Sequence, residues 1–268
     1  MLISHESPLC LLEESRKYND YDYALVHLFE EIPNYYSFFK RSLEQGRRVI
    51  LDNSIFELGK SFDPQKYLYW INHLQPTEYI IPDVLEDTLG TMDQALDWKE
   101  NYKSLVPDSK CIGVVQGKSY SEIVNCYNYL DININVDKLA ISFDYSLYQK
   151  LHPHTNKWVS FTLGRAKLLS MLVEDKIINT SKPHHLLGCA LPIEFMFYRD
   201  YKWLESLDTS NPVVHGLLGV GYEPGGLISK KSIKLVDLIH HPYPSSSRLH
   251  TIKHNIEYFK YFVRGLKL

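Results

Sequence analysis

The sequence predicts one α/β barrel of eight parallel strands, a (β/α)8 fold of TIM type occupying residues 1–268 as a single domain. Three observations carry that expectation. Short apolar runs recur along the chain, and segments with helical spacing of apolar residues follow them. Several of these runs end on an acid or an amide and then on turn residues. No low-complexity linker divides the chain, so one domain is favoured over two. A doubly wound open sheet is the main rival, and no GxGxxG follows any strand to support it.

The elements are expected in the following order. A first strand, Tyr23 to Leu28, leads to an aromatic-rich helix over 34–45. Strand Arg48 to Asp52 precedes a helix over 64–74, and strand Glu78 to Asp83 precedes one over 88–105, with Thr88 as its N-cap. Strand Cys111 to Gln116 runs into a helix over 120–130, capped by Ser119. Strand Lys138 to Phe143 precedes a long loop and a helix over 161–174. Strand His185 to Ala190 is followed by a helix over 192–201, then by strand Leu204 to Asp208 and a closing helix over 253–264. That makes seven strands. The glycine-rich stretch Val213 to Gly226 is the expected place of the eighth.

Composition bounds the function. With 44% hydrophobic and 23% charged residues, the chain has a globular profile. A formal net charge of −3 argues against a globally basic nucleic-acid coat but allows a local basic face. The four cysteines are scattered without a CxxC pair, which suggests neither a disulfide framework nor a cysteine-rich zinc site, and a reduced cytoplasm fits. The N-terminus carries Glu6, Glu13 and Glu14 and no long apolar run, so neither a signal peptide nor a membrane span is expected.

The chemistry sits at four strand ends. They read Val49-Ile50-Leu51-Asp52, Tyr79-Ile80-Ile81-Pro82-Asp83, Ile112-Gly113-Val114-Val115-Gln116-Gly117 and Trp203-Leu204-Glu205-Ser206-Leu207-Asp208. In a parallel barrel such ends open on one face, where active sites are built. Three carboxylates and an amide there suit a nucleobase edge and work on a glycosidic bond. An Asp that ends a strand is also often only a cap or turn residue, and Asp208-Thr209-Ser210-Asn211-Pro212 makes an ordinary Asx-turn.

Several segments, in order, resemble those of the tRNA-guanine transglycosylase superfamily, which exchanges guanine for a 7-deazaguanine base. Asp52-Asn53-Ser54-Ile55-Phe56-Glu57 resembles the family's Asp-Ser-Gly-Gly-(Phe/Tyr)-Gln, and Gly113-Val114-Val115-Gln116-Gly117 its Gly-Ile-Val-Gln-Gly. Leu186-Leu187-Gly188-Cys189-Ala190 is similar to its Leu-Met-Gly-Val-Gly, and Lys253-His254-Asn255-Ile256-Glu257-Tyr258-Phe259 to the His-Asn-Leu stretch that opens its last helix. The matches span about residues 48 to 262, and the chain is most similar to the branch that acts on DNA in phages and some bacteria. Two departures stand out. The family's tRNA enzymes hold a structural zinc through Cys-x-Cys-x-x-Cys; here only His240, His241, His250 and His254 are nearby, so no structural zinc is expected. Ser54 and Ile55 replace the two glycines.

The resemblance implies a role for each residue. Asp208 is the nucleophile at C1′, forming a covalent intermediate, and Asp52 is the general acid/base. Asp83 accepts from N1–H and the exocyclic amine of guanine, and Gln116 serves O6. Phe56 and Leu187 sandwich the base, backbone groups of Gly117, Ser142 and Gly188 approach it, and Asp144 contacts the incoming base. No cofactor is implied. The partners implied are a free 7-deazaguanine base and DNA held by a basic strip of Arg47, Arg48, Lys118, Lys157 and Arg165 near the barrel mouth, with the target base turned out of the stack. Cytoplasm is the implied location, that of the host if the chain is phage-encoded. The alternatives are the same chemistry on tRNA, a base-releasing hydrolase, and a non-catalytic nucleic-acid-binding partner that keeps the pocket. His184 and His185 read as packing residues flanking a strand.

Overall fold

The computed structural model describes residues 1–142 and 146–265. Eight parallel strands alternate with helices, the (β/α)8 class that the sequence predicts. The strands are β1 (Leu2–His5), β2 (Asp22–Leu25), β3 (Val49–Asp52), β4 (Glu78–Ile80), β5 (Lys110–Val115), β6 (Lys138–Ile141), β7 (His184–Leu186) and β8 (Leu204–Thr209). Their order in the sheet is β1-β8-β7-β6-β5-β4-β3-β2. The α-helices are α1 (Leu12–Arg16), α2 (His27–Glu31), α3 (Pro33–Glu44), α4 (Ile55–Leu58), α5 (Pro64–Leu74), α6 (Thr88–Asn101), α7 (Tyr120–Asn128), α8 (Ser146–Leu151), α9 (Lys157–Glu174), α10 (Asn211–Leu217) and α11 (Ser246–Arg264).

The eighth strand is not in the glycine-rich stretch. It is β1 at the N-terminus, which pairs with β8 in the register Ser4 to Asp208 and His5 to Thr209. The stretch instead opens within α10, which ends at Leu217, because Pro212 at the first turn favours a helix start. The helix expected from Thr88 is capped by the preceding Asp87, whose carboxylate accepts from the Gly90 N–H. The Thr88 hydroxyl donates instead to the Gln116 carbonyl at 2.7 Å. Ser119 does cap α7, accepting from the Glu122 N–H.

The residues group into two compact units. One comprises 21–142 and 177–185 and holds β2 to β6. Its strands are wholly buried along their length apart from Lys110, as parallel strands covered by helices must be. Ion pairs close the N-terminal strand ends: Asp22 with Arg47, and Glu78 with both Arg48 and the buried Lys138. The Tyr67 hydroxyl, from α5, donates across the β3–β4 step towards the Leu51 and Ile80 carbonyls at 3.0 and 2.9 Å. This pins the two strands just before they deliver Asp52 and Asp83.

The other unit comprises 1–20, 146–176 and 186–265 of the described residues and holds β1 and β8. Leu11, Val213, Leu217, Ile252 and Ile256 form an apolar cluster between α10 and α11. Gly216 is required there, since a Cβ would come within 2.6 Å of the Ile252 backbone. Asn255 reaches from α11 to the first turn of α10 and to the loop after it, donating to the Pro212 and Val220 carbonyls and accepting from the Tyr222 N–H. His254 bonds the Tyr222 carbonyl at 2.9 Å. Among the described residues no helix is long and apolar enough to cross a membrane.

Candidate active site

Within the first unit, three consecutive strands each deliver a polar group. Asp52 is the last residue of β3, Asp83 lies three residues beyond β4, and Gln116 follows β5 directly. All three are buried. The Asp52 carboxylate accepts from the Tyr23 hydroxyl at 2.7 Å and from the Ser54 N–H. Tyr23, on β2, is itself stacked on His185 with ring centroids 5.9 Å apart. Ser54 has φ of 61°, the left-handed region that favours glycine. That turn lets the Ser54 N–H fold back onto the carboxylate two residues earlier.

Asp83 is held by two amides. Asn53 Nδ2 donates to Oδ1 at 2.7 Å, and Gln116 Nε2 donates to Oδ2 at 2.6 Å. Asn53 also donates to the Ile81 carbonyl and accepts from the Ile55 N–H, so its side-chain orientation is determined. Gln116 is determined in the same way: its Oε1 accepts from the Glu86 N–H at 2.8 Å, with Glu86 also at positive φ. With only 1% exposure, Asp83 is pushed up to about 6 by burial, while the two amide donors pull it down. A carboxylate poised near neutrality, in a cluster with two left-handed non-glycine residues, has the marks of a functional site.

Packing requires a glycine at 117. A Cβ there would lie 3.0 Å from the Ile123 backbone nitrogen and from the Thr88 hydroxyl. Phe56, on α4, is half-buried, and Ser142 directly follows β6 and is also half-buried. Asp144 lies outside the described residues.

In the second unit, Asp208 is buried near the end of β8. Its two carboxylate oxygens share the Gly188 N–H at 3.3 Å each. Leu187 and Gly188 are half-buried. Their carbonyls accept from Arg165 at 2.8 and 3.1 Å.

The basic strip needs correcting. Arg47 and Arg48 directly precede β3, at the end of the strand opposite Asp52, and pair with Asp22 and Glu78. Arg165 is fully buried in an ion pair with Glu194, beyond reach of a phosphate. Lys118 and Lys157 are exposed, and the Lys157 ammonium sits 4.4 Å over the Trp158 ring, with Lys230 at 5.1 Å over the same ring.

Sequence reasoning missed four contributors: Tyr23, Asn53, His185 as a stacking partner, and Glu194. Asn53 had a signal, since it lies inside the Asp52 segment. Glu194 had none, because its partner Arg165 is 29 residues away in an otherwise ordinary helix. Among the described residues no group of three or more His, Cys, Asp or Glu side chains is arranged to hold a metal ion. No family model matches the chain, and no curated protein matches it either.

Proposed function

We propose that the protein is a base-exchange transglycosylase that replaces guanine in DNA with a 7-deazaguanine base. The observation that carries this reading is the Asn53–Asp83–Gln116 cluster beside Asp52 on consecutive strand ends. An ionised Asp83 can accept from the N1–H and the exocyclic amine of a guanine-type edge. Gln116, an amide with both donor and acceptor, is the group proposed for O6. A base lacking those groups leaves buried amides and carboxylate unpaired, at a cost of several kcal/mol.

The chemistry assigned to the carboxylates follows retaining glycoside cleavage. A carboxylate oxygen of Asp208 forms a bond to C1′ as the C1′–N9 bond breaks, and the electron pair leaves with guanine. Asp52 supplies the proton that the departing base takes up, then recovers one from the incoming base, whose nitrogen displaces Asp208. The Tyr23 hydroxyl and the Ser54 N–H orient Asp52 for both transfers. The target nucleotide must leave the stack for this edge to be read, which a duplex permits only by extrusion. The exposed Lys118 and Lys157 are the proposed phosphate contacts.

The test is incubation with labelled guanine and either duplex DNA or tRNA at matched salt. Label entering DNA supports the proposal. Label entering only tRNA moves the polymer and keeps the chemistry. Release of guanine without label uptake identifies a hydrolase, and neither uptake nor release identifies a binding partner without catalysis.

A further inference from the structure

We propose that the buried Arg165–Glu194 ion pair is a positioning device for Asp208, acting through the Leu187–Gly188 backbone. The inference rests on Asp208 being the working carboxylate of the reaction proposed above. Arg165 lies within α9, and Glu194 lies in the short 3-10 segment Pro192–Tyr198. Both side chains are fully buried.

The guanidinium is used on two sides. Its Nε and one Nη donate to the Glu194 carboxylate. The other Nη donates to the Leu187 carbonyl at 2.8 Å, and the nitrogen shared with Glu194 also reaches the Gly188 carbonyl at 3.1 Å. Two successive carbonyls are therefore turned to one rigid, planar donor, which fixes both peptide planes. Gly188 makes this possible through a left-handed φ of 58°, where a side chain would be strained. The Gly188 N–H shares its peptide plane with the Leu187 carbonyl, so with that carbonyl committed to Arg165 the N–H is presented midway between the Asp208 oxygens.

A buried ion pair is a poor way to gain stability, since apolar side chains of similar volume usually serve as well or better. What an apolar pair cannot do is hold two carbonyls in a set direction. A lysine cannot either, because its single ammonium lacks the fork geometry.

The test reads the Gly188 amide directly, by NMR of the full chain labelled with 15N-glycine. D208N should displace its proton resonance from the wild-type position, because the charge the amide faces is removed. In the backgrounds R165M/E194M, which leaves no lone buried charge, and R165K, the displacement caused by D208N should fall by at least half while the other glycine signals keep their dispersion. Where the wild type incorporates label, kcat in both variants should fall roughly 10- to 100-fold with little change in KM for the free base. A full displacement by D208N in both backgrounds, or none in the wild-type background, would overturn the proposal. If the resonance behaves as expected while the wild type never takes up label, the base-exchange reading fails and the positioning role stands.

Discussion

Replacing Asp83 with Asn separates the buried carboxylate's electrostatics from its shape. Asp83 titrates at about 6 in the folded protein because burial disfavours its charged form. An unfolded chain titrates an Asp near about 3.9. The folded state therefore binds the proton more tightly, so this site's contribution is present at acid pH and is lost as pH rises from about 4 to about 6. Between about pH 7.5 and about pH 4.5 it should raise wild-type stability by about 2 kcal/mol. The Asn variant has no such proton to bind. It also sets an amide NH2 against a donor, from Asn53 or Gln116, and Gln116 cannot flip without abandoning the Glu86 N–H. That conflict adds an offset of about 1–3 kcal/mol at every pH. Urea unfolding of both proteins across this range should thus show the wild type gaining about 2 kcal/mol over the variant on acidification. A difference that stays constant with pH would refute the reasoning.

Tyr23→Phe removes the hydroxyl on Asp52 while keeping the ring against His185, so stability should fall by about 1–2 kcal/mol and kcat more than base affinity; equal loss in both would argue against an orienting role. Arg165→Met alone should cost about 3–5 kcal/mol by stranding the Glu194 charge, and adding Glu194→Met should restore most of it, as thermal or urea unfolding will show. Lys118→Ala and Lys157→Ala should each make the salt dependence of DNA binding shallower by about one unit of slope. Arg47→Ala should leave that slope unchanged and lower stability instead, because it strands the buried Asp22.

Much of the barrel is legible in the sequence because buried parallel strands must be apolar runs, and turn residues mark where they stop. Asp52, Asp83 and Gln116 stand out for the same reason: each interrupts such a run at its C-terminal end. β1 escapes notice because Leu2–His5 is short and half polar, and only its pairing with β8 makes it a strand. The glycine-rich stretch Val213 to Gly226 is ambiguous in the sequence, although Asn211-Pro212 before it is a helix-start signal. Arg47 and Arg48 illustrate a different error. A basic pair shows its charge but not which end of the sheet it occupies, yet these two precede β3 and so must lie away from Asp52. Arg165 could not be placed at all, since nothing in a helix sequence distinguishes an arginine in water from one buried on a distant glutamate.

The most direct measurement of the central claim is a search for the covalent intermediate. The protein is mixed with a short guanine-containing DNA without an incoming base, denatured, and analysed by intact mass and peptide mapping. The expected result is a protein–DNA adduct that maps to Asp208, is discharged by added 7-deazaguanine base, and is absent in Asp208→Asn. An adduct on another residue, or base exchange that proceeds unimpaired in Asp208→Asn, would contradict it.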